Sequence, residues 1–71
     1  MAISSVTYDH STHTIFIRNI EDTMSKYTYC LCEGRKNFIN RICQDYPEMD
    51  VMTWDTIYAV VKDWEKKIRG K

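Results

Sequence analysis

Two histidines and two cysteines are the residues whose types and spacing invite chemistry: His10-x-x-His13 and Cys30-x-Cys32. Imidazole and thiolate together make zinc sites, in which four ligands close a tetrahedron. Two histidines beside a turn and two cysteines on one strand face supply suitable donors. The spacing matches no familiar finger pattern, however, and on a regular strand two rises hold the Cys30 and Cys32 sulfurs roughly 7 Å apart. The plainer expectation is a pair of turn histidines and partly buried thiols. A small zinc-stabilised module is kept as an alternative, and neither metal nor cofactor enters the leading reading.

Nucleophilic catalysis needs a cysteine or serine beside a general base that a third group orients. Cys30, Cys32 or Cys43 with His10 or His13 supplies the residue types, but no local signature joins them. A domain this small also has little room for a substrate pocket of some 300 Å³ or more. Cys43 falls in an apolar helical stripe, which points to core packing. Gly34 and Gly70 are the only glycines, so a glycine-rich phosphate loop is excluded. Glu21-Asp22 reads as a solvated turn, and Asp9, Asp45, Glu48 and Asp50 lack the spacing of a calcium loop. The expectation is a protein that is not an enzyme.

Recognition chemistry fits better. Interfaces are enriched in Tyr, Trp, Met and Arg, and the chain carries five Tyr, four Met and two Trp. The residues expected to meet a partner are Tyr27, Tyr29, Tyr58, Arg35, Lys36 and Arg41. They define a small protein-binding module that acts by occupying a macromolecular surface. Its analogy, of size and composition only, is with phage-encoded inhibitors of host enzymes or defence complexes (anti-CRISPR-like). The alternative from another class is a nucleic-acid-binding regulator. Arg35, Lys36, Asn37, Asn40, Arg41 and Gln44 would offer amides and guanidinium groups to base edges, with Tyr27 and Tyr29 stacking on unpaired bases.

The elements that must position these residues follow from a change of period near Gly34. Before it apolar residues mostly alternate, as in Thr14-Ile15-Phe16-Ile17-Arg18; after it they recur every three or four residues. The expected fold is α+β, a three-stranded antiparallel β-meander followed by two helices packed on one face (βββαα), in one small domain spanning 1–71. Strands are expected at 3–8, 13–20 and 26–32. Pairing Asp9 with Thr12 sets Val6 opposite Ile15 and Tyr8 opposite His13. The first helix is expected over 35–46, on Phe38, Ile39, Ile42, Cys43 and Tyr46, ended by Pro47. The second is expected over 53–69, with Thr53 as N-cap and Gly70 just beyond its end. Trp54 and Trp64 lie roughly 80° apart around that helix, so one can anchor the core while the other sits at its edge. Both sheet faces carry apolar residues and the helices cover one, which leaves the other face and the strand edges in need of a partner or a second copy; homodimerisation fits that need.

Charge and length bound the partners. Ten basic and ten acidic residues cancel, whereas a protein that coats nucleic acid usually shows a basic excess. No apolar run approaches the ~20 residues of a membrane span, and no basic-then-apolar leader opens the chain. The expected setting is cytoplasmic, without membrane association, where an odd count of three cysteines reads as reduced thiols.

Overall fold

The computed structural model describes residues 3–70. Three strands, β1 (Ile3–Asp9), β2 (Thr14–Asn19) and β3 (Met24–Thr28), precede two helices, α1 (Arg35–Asp45) and α2 (Val51–Arg69). The strands pair antiparallel in the order β1-β2-β3, so the chain adopts the α+β βββαα architecture expected of it.

Asp9 decides where the first hairpin turns. Its Oδ1 accepts hydrogen bonds from the Ser11 amide (3.0 Å), the Ser11 hydroxyl (2.7 Å) and the Thr12 amide (3.4 Å). These bonds, with the Ser11 hydroxyl foremost, hold the Asp9 carboxyl below its ordinary pKa. The side chain thus shapes a four-residue loop, which His13 closes at φ 54°. Asp9 therefore pairs with Thr14, Tyr8 with Ile15 and Val6 with Ile17. The register is two residues longer than the alternation predicts. A shift of two keeps every side chain on its face, so the core assignment survives the correction.

That core is Ile15, Ile17, Tyr27 and Tyr29 from the sheet side, covered by Phe38, Ile39, Ile42 and Tyr46 and by Ile57, Val61 and Trp64. Val6 and Tyr8 pack against it from β1. The opposite sheet face presents exposed Thr7, Arg18, Lys26 and Thr28 around a half-buried Phe16. The open face thus keeps some apolar character, in half-buried Phe16 and in Met24, which pairs with Arg18 and is 49% exposed, within a mostly polar surround.

Three element boundaries move by two residues or more, and the first is the start of β3, which lies at Met24 instead of Lys26. α2 begins at Val51 instead of Thr53, because Asp50 holds the extended conformation (φ −74°, ψ 162°) and its carbonyl accepts the Trp54 amide at 3.0 Å. Val51 and Met52, which fall before the helix expected over 53–69, therefore form the first turn of α2. β3 stops at Thr28 instead of continuing to Cys32. The Tyr29 amide still reaches the His13 carbonyl (2.8 Å), and the chain then turns, with the Glu33 amide donating to the Cys30 carbonyl (3.0 Å). That turn brings the Cys30 and Cys32 Cα atoms to 5.3 Å and joins them in a disulfide. The expectation of reduced thiols held apart on a strand fails there because the strand has already ended; Cys43 remains free and half-buried.

Gly34 sits at the N-cap of α1 with φ 89° and ψ 154°, a region that side-chain-bearing residues avoid. Beyond its two chain neighbours, a Cβ at this position would meet no heavy atom within 4 Å, so the cost of substitution lies in the backbone conformation. Gly34→Ala is expected to destabilise the fold by about 1–3 kcal/mol. The measurement is a urea midpoint that falls with an unchanged slope; an unmoved midpoint would show that the turn tolerates a side chain.

Candidate functional site

The six residues expected to meet a partner separate into three environments. Tyr27 and Tyr29 are each only 5% exposed. Their hydroxyls donate to the carboxylates of Asp45 and Glu65, each at 2.6 Å, so each phenol ties the sheet to one helix. Burial first, and these carboxylates second, raise both tyrosines, Tyr29 to about 12. Neither ring presents a surface, and both leave the candidate set for that reason.

Arg41 belongs to the structure of α1. Its guanidinium donates to Glu33 (3.1 Å) and to the Thr28 carbonyl (3.3 Å), and lies 5.4 Å from the ring centre of buried Phe38. Arg35 is held in a similar way on another flank, 3.4 Å from Glu65 and 5.0 Å from the Tyr58 ring centre. Lys36 projects roughly 140° around the helix from Arg41 and is exposed. The cations that would form one basic face are therefore divided between two flanks, and two of the three are paired.

Lys36 and Tyr58 do come together. With Ile39, Asn40 and Trp54 they line a groove of about 400 Å³ between the two helices. Its wall is a ladder of flat groups: the Trp54 ring stacks on Tyr58 at 5.1 Å and 16°, and the Arg35 guanidinium covers Tyr58. Trp54 and Tyr58 are four residues apart and share a flank of α2. A second groove of about 400 Å³ runs along the other flank, between β1 and the start of α2, lined by Val6, Tyr8, Asp50, Met52, Thr53 and Thr56.

Between the grooves stands the first turn of α2, where Val51 is 74% exposed, Met52 79% and Trp54 36%. The inner face of the same helix is already satisfied by Ile57, Val61 and Trp64. The first turn is thus an apolar ridge with an aromatic shoulder, rimmed by exposed Lys36, Asn40, Asp50 and Asp55. Val51 and Met52 escaped the sequence reading because Pro47 and Glu48 suggested a linker there. The available signal was two apolar residues off the Trp54-Ile57-Val61-Trp64 stripe, directly before it.

The zinc alternative loses its ligand set. The two sulfurs are bonded to each other, and His10 Nδ1 accepts the indole N–H of Trp64 at 2.9 Å. The His13 ring packs on Trp64, with 5.3 Å between centres. Among the described residues no three His, Cys, Asp or Glu side chains converge as metal ligands, and no helix is long and apolar enough to cross a membrane. Comparison with protein-family models, with curated proteins and with solved structures finds no match.

Proposed function

We propose that this chain is a small binding module that docks on another protein through the N-terminal turns of α2, a role that needs no catalysis. One observation carries the reading: Val51, Met52 and Trp54 stand exposed on a helix whose opposite face already fills the core. Apolar side chains on a ridge between open grooves, rimmed by charged groups, have the anatomy of an interface: an apolar centre within a polar rim. Nucleic acid fits less well, since Arg35 and Arg41 are paired with Glu65 and Glu33 and leave Lys36 as the unpaired cation of the three. A domain of this size acts by covering the surface it binds, the mode of phage-encoded inhibitors of host enzymes or defence complexes. The cytoplasm is the proposed setting.

Trp54 is the expected anchor. Trp54→Ala removes a ring packed on Tyr58 at the edge of the core, so the melting temperature should stay close to that of the parent. Binding should weaken by at least about 2 kcal/mol, roughly thirtyfold. A photo-crosslinking residue placed at Met52 should capture one protein stoichiometrically, and the same residue at Thr7 on the open sheet face should not. Capture from Thr7 but not Met52, or affinity untouched by Trp54→Ala, would move the interface elsewhere. Capture of a second copy of the chain would make the ridge a homodimer contact.

A further inference from the structure

The Cys30–Cys32 disulfide is left unexplained by a binding role, and its position in the fold argues for chemistry. The bridge spans a sequence separation of 2. Disulfides stabilise chiefly by restricting the unfolded chain, and the effect grows with the loop they close, so a bridge across one intervening residue contributes among the least of any. Both cysteines are exposed, with Leu31 between them packed against the core. Exposed disulfides are those a thiolate can reach, and they are the labile ones.

The backbone on either side is fastened by bonds that do not involve sulfur. The Tyr29 amide donates to the His13 carbonyl and the Glu33 amide to the Cys30 carbonyl. Asn37 Nδ2 donates to the Glu33 carbonyl at 3.0 Å, and Arg41 spans the Thr28 carbonyl and the Glu33 carboxylate. Opening the bridge therefore leaves the turn in place and two thiols facing each other, ready to close again. A bridge with little structural value, borne on exposed residues in a turn that other bonds hold, has the properties of a reversible couple.

We infer that Cys30 and Cys32 form a thiol–disulfide exchange site that accepts two electrons from a dithiol. A thiolate of the dithiol attacks one of the two sulfurs; the Cys30–Cys32 bond breaks, a mixed disulfide forms, and the other cysteine leaves as thiolate. The second thiol of the dithiol loses its proton and attacks the mixed disulfide, which releases the first cysteine. The dithiol ends oxidised to a disulfide, Cys30 and Cys32 end reduced, and the two protons pass from one pair to the other. An oxidised thiol compound such as glutathione disulfide can restore the bridge by the same steps reversed.

The test uses the whole chain with dithiothreitol as the dithiol and glutathione disulfide as the terminal oxidant. The protein should accelerate formation of oxidised dithiothreitol. Cys30→Ser and Cys32→Ser should each abolish that acceleration while the far-UV spectrum stays that of the parent. Cys43→Ser should leave it intact. Alkylation and peptide mapping of the wild-type chain give a second readout that needs no variant to fold. They should find Cys30 joined to Cys32 after glutathione disulfide and both alkylated after dithiothreitol. A chain that leaves the uncatalysed rate unchanged, a bridge that resists dithiothreitol, or free Cys30 and Cys32 thiols after glutathione disulfide would each overturn the inference.

Discussion

Trp64→Ala is expected to leave the chain without a cooperative fold at room temperature. Trp64 is fully buried, and it is the largest of the fully buried side chains. Truncating a buried tryptophan costs about 3–5 kcal/mol, part lost transfer energy and part cavity. A domain of this length has about 3–5 kcal/mol of stability in total, so the one substitution removes most or all of it. The indole also holds the β1–β2 loop in place. Its N–H donates to His10 Nδ1, and its ring meets His10 edge-on at 5.8 Å and His13 at 5.3 Å. Removing it opens a cavity under the loop whose register Asp9 sets. Trp64→Phe keeps an aromatic ring, loses the bond to exposed His10 and leaves a smaller void, so it should remain folded at a cost of about 1–3 kcal/mol. Far-UV circular dichroism with thermal melting separates the two variants. A Trp64→Ala chain that melts like the parent would mean that the core lies elsewhere.

The contrast between the two tryptophans shows how far the sequence can be read. Their ten-residue spacing puts them on different parts of α2, and that alone implies one core ring and one edge ring. Which is which depends on the stripe: Ile57, Val61 and Trp64 are buried together, while Trp54 lies off that stripe, 36% exposed and stacked on Tyr58. The helix faces and the strand order were legible because burial imposes the 3.6 and 2.0 periods directly. The hairpin register was not, because Asp9 acts through hydrogen bonds to Ser11 and Thr12 that periodicity does not record.

The end of β3 was hidden for a related reason. Tyr27, Tyr29 and Leu31 alternate as a strand would, but the chain leaves the sheet after Thr28 and Leu31 reaches the core from a turn. Tyr27 and Tyr29 illustrate a wider difficulty in reading contact residues from composition. A tyrosine that anchors an interface and one that ties two elements of a small core have the same amphipathic chemistry. What separates them is whether an acceptor waits inside the fold. Here Asp45 and Glu65 wait on α1 and α2, eighteen and thirty-six residues away in sequence. The ridge went unseen for the opposite reason, because Val51 and Met52 lack any internal partner that a helical stripe would assign them.

The same two tyrosines give the fold a limit at high pH. In an unfolded chain a phenol ionises near 10.0; in the folded chain burial and the Glu65 carboxylate raise Tyr29 to about 12, with Arg69 and Arg35 opposing part of the rise. Tyr27 is raised further still, by burial first and then by its hydrogen bond to Asp45. The folded state therefore binds these protons more tightly than the unfolded state does. Their contribution to stability is fully present below pH 10 and is lost as the pH rises from there through the folded-state values. Each tyrosine lowers the stability across that window by at most about 1.4 kcal/mol per pH unit, and by less where solvent reaches and screens its hydroxyl. Against a total of about 3–5 kcal/mol, the two together should destabilise the domain progressively above pH 10 and bring its unfolding into the alkaline range. Phenolate absorbance and far-UV circular dichroism should change in one shared, cooperative step as deprotonation and unfolding become a single event. Tyr29→Phe keeps the ring and removes one of the two ionisations, so it should move that step to higher pH, while the lost bond to Glu65 costs about 1 kcal/mol at neutral pH. Tyrosines that all titrate near 10 while the circular dichroism holds steady would show that neither hydroxyl is locked between the sheet and its helices.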